Sequence, residues 1–276
     1  MKLHIDVDSI LRYSNAKDPD GTGMTDSINL SADLGEGFGR YSMADDMAML
    51  DIVSSANIAC GFHAGDPRIM HSTVQACVER GVAIGAHPGL PDLVGFGRRA
   101  LASSPHEVYT DVLYQLGALS GFVRAHEGRI AHITPHGALG ALTRRSEPIA
   151  RAFVQATSDF DASIRVVSRE GHLTELAASS GLPVGYSGFA DRAYQDDGEL
   201  APRERPGAVI TEVAAVAARV VRMVREGVVS SETGKDIPVR CDSIVVHGDT
   251  PDAVALARSV VASLQEDGVS VAALAD

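Results

Sequence analysis

Cysteine is scarce in this sequence: Cys60, Cys77 and Cys241 are the whole complement. An odd number at wide spacing excludes a disulfide framework and fits reduced thiols in a cytoplasmic protein, where such residues serve as small buried hydrophobes. No apolar run reaches the roughly 18 residues of a membrane span, and the opening residues carry no apolar signal segment. Basic residues never cluster beyond a pair and the formal charge is −12, so the basic stripe of a nucleic-acid binder is missing. Catalytic signatures of the compact kind are missing too. Gly227 to Lys235 ends in a Gly-Lys pair, but its spacing is wrong for a Walker A loop and Asp236 stands where Ser or Thr is needed. There is no Gly-x-Ser-x-Gly elbow and no His-Glu-x-x-His helix. Asn29-Leu30-Ser31 matches a glycosylation acceptor, but it falls inside a strand-like run and reads as chance.

What the chain does have is length and repetition. With 276 residues, 45% hydrophobic and 22% charged, it can bury a sizeable core as a single domain without metal or disulfide support. Seven short apolar runs end in a polar residue beside a turn former: Ile28 to Asp33, Ala56 to His63, Val82 to His87, Ile130 to His136, Ile164 to Ser168, Pro183 to Asp191 and Ser243 to Asp249. Helical patterns lie between them. Ser42 with Asp45, Asp66 before Pro67, Ser104 before Pro105 and Thr250 before Pro251 read as helix starts; Gly81, Gly227 and Gly268 read as left-handed helix ends. Strand and helix in alternation mean parallel strands joined by crossovers. A single TIM-like β/α barrel of about seven strands is expected over residues 28–276. An open doubly wound sheet would gather its ligand groups at one switch point, whereas here nearly every strand ending is polar. Residues 1–27 read as a poorly ordered extension, with Met24 as an alternative start.

Strand ends deliver side chains to one place, so these endings describe one shared site. Asp33 and Glu36, in a turn with Gly35, Gly37 and Gly39, are candidates for acid, base or metal ligand; the even glycine spacing is not that of a dinucleotide loop. Asn57 is an inward polar group and His63 closes the same run. His87, His136 and His247 close three more, with Asp249 two residues after the last. His126 and His132 are set aside as exposed, because Glu127, Gly128 and Arg129 surround them. Histidines and carboxylates that converge can bind a divalent metal and activate water, or shuttle protons without one, and spacing leaves both open. Arg98-Arg99, Asp191-Arg192, Arg203 and Arg205 lie on loops, where guanidinium groups suit an anionic ligand or internal ion pairs.

These stretches together resemble the LamB/YcsF family. The likeness runs through Asn29 to Gly37, Ser55 to Asp66, Gly85 to Gly89, Gly95 to Arg99, Pro135 to Leu139, Phe189 to Tyr194, Arg205 to Val209 and Val246 to Thr250, in order from Ile28 almost to the C-terminus. It implies a barrel of the glycoside hydrolase and deacetylase type. It further implies a subunit that acts with two partner subunits and ATP as co-substrate to open 5-oxoproline to glutamate. In that scheme Asp33, His63, His87, His136 and Asp249 are the catalytic set, and Glu36, Asn57, Arg98, Asp191, Arg192 and His247 bind substrate. Two readings stand beside it: a metal-dependent amidohydrolase or deacetylase that needs no ATP, and a noncatalytic subunit that binds a small carboxylate. Where family members commonly continue Pro-His-Gly-Ala-Leu with Tyr-Asn, this chain has Gly140-Ala141, and Ser31 stands where Asn or Cys is common, so a related lactam is an alternative substrate.

Overall fold

The computed structural model describes residues 26–274, so most of the expected extension, with the Met24 start, lies outside the described residues. The elements in chain order are β1 (Ser27–Leu34), α1 (Asp46–Leu50), β2 (Ser55–Ala59), α2 (Pro67–Arg80), β3 (Ala83–His87), α3 (Pro105–Ala125), β4 (Ile130–Ile133), α4 (Gly137–Arg145) and α5 (Glu147–Asp161). They continue with β5 (Arg165–Ser168), α6 (His172–Ser179), β6 (Val184–Phe189), α7 (Val213–Glu226), β7 (Val228–Ser230), β8 (Asp236–Pro238), β9 (Ser243–His247), α8 (Ala253–Glu266) and β10 (Ser270–Val271). Strands β1 to β6 and β9 pair in parallel, and β1 closes the ring on β9. That closure decides for the seven-stranded barrel over the open sheet. β10 pairs with the start of β1, and β7 with β8 forms a separate antiparallel pair.

The strands alternate in character as a two-residue period requires. Leu30, Ala32 and Leu34 of β1 join the apolar core. Asn29, Ser31 and Asp33 take the opposite face, inside the barrel, and bond to polar groups on neighbouring strands. Asn29 accepts from Ser55 Oγ at 2.6 Å and donates to Ser243 Oγ at 2.7 Å. Burial of polar groups is tolerated because each finds a partner. Asn29 is buried in this network, so the glycosylation match is sterically void.

Most helix starts follow the sequence signals. Asp66 accepts from the Arg68 and Ile69 amides and Pro67 opens α2; Ser104 and Glu107 form a reciprocal capping box on α3. Gly81 and Gly227 adopt left-handed caps at φ 67°. Two starts differ. Asp45 itself caps α1, while Ser42 bonds to Ala44 O. α8 begins after Asp252, not at Thr250, because the Thr250 hydroxyl is committed to Asp191. No helix among the described residues is long and apolar enough to cross a membrane.

Register places the site. His247, Asp33, Asn57, Gly85 and His132 are successive Cα partners across β9, β1, β2, β3 and β4, and so lie at one level of the barrel.

Candidate active site

Along this row the side chains form a hydrogen-bonded file. His132 Nε2 donates to Asn57 Oδ1 at 2.7 Å, and Asn57 Nδ2 donates to Asp33 Oδ1 at 2.9 Å. The intervening Gly85 lets the His132 ring cross β3, for a Cβ there would overlap the ring. His132 is therefore a correction to the expectation of exposure: it is 4% exposed. The polar residues before it belong to the turn leading into β4, and strand alternation turns His132 inward. His126, by contrast, is the partly exposed C-cap of α3, 3.1 Å from His71 on α2.

Above this row the strand ends and following loops bring four buried groups together. Single donor atoms of Glu36, His63, His87 and His136 all lie within 4.8 Å of one another. The two central rings are oriented from behind. His87 Nδ1 donates to Thr134 O at 2.8 Å, and His136 Nε2 donates to Phe96 O at 2.8 Å. In neutral rings this leaves His87 Nε2 and His136 Nδ1 as bare lone pairs, and they face each other at 2.9 Å. Glu36 Oε1 stands 3.4 Å from His136 Nδ1 and 3.2 Å from His63 Nε2; Asp33 Oδ2 stands 3.5 Å from His87 Nε2. His63 stacks on His136 at 3.7 Å, and its buried Nδ1 has no partner. Acceptors aimed at acceptors need a cation between them, a proton or a metal ion. Imidazoles with a carboxylate are a donor set that zinc accepts, so the residues fit such an ion.

The electrostatics separate the two carboxyls. Burial opposes ionisation of Asp33, but His87, then His247 and His136, outweigh it and hold the carboxyl well below its usual range. Burial pushes Glu36 well up, and the charges of Asp33 and Asp249 push the same way. Burial and His87 lower the pKa of His63; burial, His63 and His87 lower that of His136.

A cavity of about 300 Å³ opens onto this cluster, with Asp33, Asn57, His87, His136, His247 and Arg98 in its wall. Arg192 lines it as well. The other expected residues stand behind that wall. Asp191, expected to bind substrate, is fully buried: its carboxylate accepts from His247 Nδ1 at 2.7 Å and from Thr250. Its role is to fix the His247 tautomer, with Nε2 4.0 Å from Asp33 Oδ2. Asp249 accepts from Arg98 at 2.7 Å and from Arg203 at 3.1 and 3.2 Å. Burial works against its charge, yet Arg203 and Arg98 keep its pKa low. Both of its oxygens are already taken up by guanidinium groups, so in this structure it places two arginines. Arg99 turns away to Asp92, and Arg205 to Glu232 at 2.9 Å on the surface. Arg192 is anchored on the carbonyls of Ala201 and Ala208.

Sequence reasoning missed Arg144, Arg145, Arg169 and Glu199, which line the same cavity. Arg169 directly follows the β5 ending and carried the signal used elsewhere. Arg144 and Arg145 lie two turns beyond His136 on α4, and only the position of that helix beside the cavity reveals them.

A family model described as LamB/YcsF matches residues 28–276. The chain belongs to that family. Among LamB/YcsF relatives it is 48% identical over 252 residues to a 5-oxoprolinase subunit from Methylococcus capsulatus, covering 91% of this chain and 97% of that one. It is 49% identical over 249 residues to the corresponding 5-oxoprolinase subunit from Streptomyces avermitilis, covering 90% and 100%. A lactam utilization protein from Thermus thermophilus superposes with a TM-score of 0.84 at 44% identity, covering 90% of this chain and 100% of that structure. The family match spans every strand ending that builds the site.

Proposed function

We propose that this chain is the lactam-opening subunit of an ATP-dependent 5-oxoprolinase, converting 5-oxo-L-proline to L-glutamate together with two partner subunits. The observation that carries the reading is the buried pair Asp33 and Glu36, set 3.2 to 3.5 Å from three histidines beside one cavity, with their ionisation driven apart. Such a pair supplies a base and an acid in one site. The relatives named as 5-oxoprolinase subunits support the substrate class.

A lactam is a resonance-stabilised amide with a poor leaving group. In the proposed reaction ATP supplies a phosphoryl group to the lactam oxygen, and water adds to the ring carbon. The ring C–N bond breaks as the nitrogen takes a proton, and a second water releases phosphate from the acyl phosphate. Ionised Asp33, steadied by Asn57 and His132, accepts the proton of the attacking water. Glu36, His136 and His87 form a file of proton carriers leading back to Asp33, with steps of 3.4, 2.9 and 3.5 Å. His247 faces Asp33 from the far side, and Arg98 or Arg192 in the cavity wall holds the substrate carboxylate. The free, buried cysteines suit a cytoplasmic location.

Glu36, His63, His87 and His136 are the residues that would hold a divalent metal. Such an ion polarises a carbonyl and lowers the pKa of bound water. The facing lone pairs of His87 and His136 thereby favour a second reading, a metal-dependent amidohydrolase acting without ATP. One assay separates them: glutamate release from 5-oxoproline, with and without ATP and the partner subunits. Product only in the complete mixture, lost in Asp33→Asn and His136→Ala with the circular dichroism retained, supports the leading reading. Turnover indifferent to ATP and lost to chelator supports the second, and no product in any condition refutes the first.

A further inference from the structure

We propose that the cavity carries a phosphate-binding arm, formed by Arg144, Arg145 and Arg169 at the end of α4 and β5, which deepens the reading of this site as one that handles a phosphorylated lactam. Six arginines line the cavity against three carboxylates, in a chain whose formal charge is −12. Three of them converge on a single carboxylate. Arg144 Nη2 pairs with Glu199 Oε1, and Arg145 and Arg169 reach Glu199 Oε2 at 3.3 and 3.2 Å. One carboxylate thus bonds to three guanidinium groups, with the charge of Asp197 also acting on Arg144. Arg169 is only 15% exposed, and the buried Nε of Arg144 has no partner. Burial, and after it the neighbouring Arg144, lower the Arg169 pKa to about 10.

What the cluster lacks is an anion with further negative charge and several acceptor oxygens. A phosphate has both, and planar guanidinium forks match it in pairs of hydrogen bonds. A single carboxylate offers only two oxygens to three guanidinium groups. The way from the histidines to this arm is open, because the face of α4 toward the cavity is built from Gly137, Ala138, Gly140 and Ala141. From His136 to Arg144 the helix rises about 12 Å, and the long arginine side chains shorten that distance. Glu199, on the loop between β6 and α7, occupies the arm as an internal anion.

Competition with Glu199 gives the proposal a signature that a mere ion-pair clasp lacks. Purified chain is titrated with inorganic phosphate at constant chloride ionic strength and followed by calorimetry, so no turnover is needed. Saturable one-to-one binding is expected, weakened at least about tenfold in Arg145→Gln and in Arg169→Gln. Arg145 is 64% exposed, so its variant should fold even if that of Arg169 does not. Glu199→Gln should tighten phosphate binding. No saturable binding, unchanged affinity in Arg145→Gln, or weaker binding in Glu199→Gln overturns the proposal. Added 5-oxoproline and ATP identify the source: tighter phosphate binding with 5-oxoproline marks the phosphoryl group of an activated lactam, and displacement by ATP marks a nucleotide. Both outcomes require the arm. If phosphate binds and glutamate is never formed, the arm stands and the 5-oxoprolinase reading alone falls.

Discussion

Acidifying the folded chain tests the interior row through one ring. Burial, with the charges of His87 and Arg165, brings the His132 pKa down to about 4, against 6.5 for a free ring. Between those values the unfolded chain binds a proton that the folded chain refuses. Stability contributed by neutral His132 is therefore complete above pH 6.5 and falls as the pH drops toward 4. The loss from this ring alone is about 2 kcal/mol at pH 5 and about 3 kcal/mol at pH 4. His132→Gln removes the titration while its amide can still donate to Asn57 Oδ1. Urea melts of both proteins at intervals from pH 7.5 to pH 4.5 are the assay. At neutral pH the wild type should be the more stable, through better packing against Gly85. By pH 5 the gap should have moved toward the variant by about 2 kcal/mol. A gap constant within about 0.5 kcal/mol over the whole range would mean that the folded ring titrates as it does in the unfolded chain, and the row as described would be wrong.

Other consequences are as direct. Gly97 has φ 63°, and a Cβ there would stand 2.6 Å from His63 Cβ and 2.9 Å from His136 Cδ2; Gly97→Ala should cost about 2–4 kcal/mol in a denaturant melt and abolish the activity proposed for the site. Gly181→Ala, at φ 81° with nothing near, should cost only about 1–2 kcal/mol and leave activity intact. His247 and Thr250 outweigh burial and hold Asp191 below its ordinary value of 3.8. The stability it adds is present above that pH and lost as pH falls through the folded value, so wild type and Asp191→Asn should converge in acid melts below about pH 4. Cys60 and Cys77 are pushed up to about 12 by burial; an aromatic disulfide reagent should find no reactive thiol at either position until the chain unfolds.

The barrel and its strand endings were legible because both rest on short-range chemistry. An apolar run followed by Asp-Leu-Gly or His-Pro-Gly marks a strand and its exit. Asp66 and Ser104 mark caps through side chains that reach only two or three residues along. What depended on partners distant in sequence was not legible. His132 looked exposed because Glu127, Gly128 and Arg129 precede it, yet its environment is Gly85 and Asn57 on the next two strands. Asp191 suited substrate binding and Asp249 suited catalysis by residue type, but sequence gives no sign that His247, Arg98 and Arg203 already occupy them. Thr250 likewise reads as a cap until Asp191 claims its hydroxyl.

The space that Gly85 leaves by having no side chain has a bearing on engineering. Because the His132 ring fills it to reach Asn57, and Asn57 in turn aims Asp33, positions 33, 57, 85 and 132 are mechanically tied to one another. A directed-evolution library that randomises the cavity wall while holding these four together searches substrate preference. One that varies them singly will mostly sample broken proteins, and compensating pairs across β2, β3 and β4 are where a new arrangement has to begin.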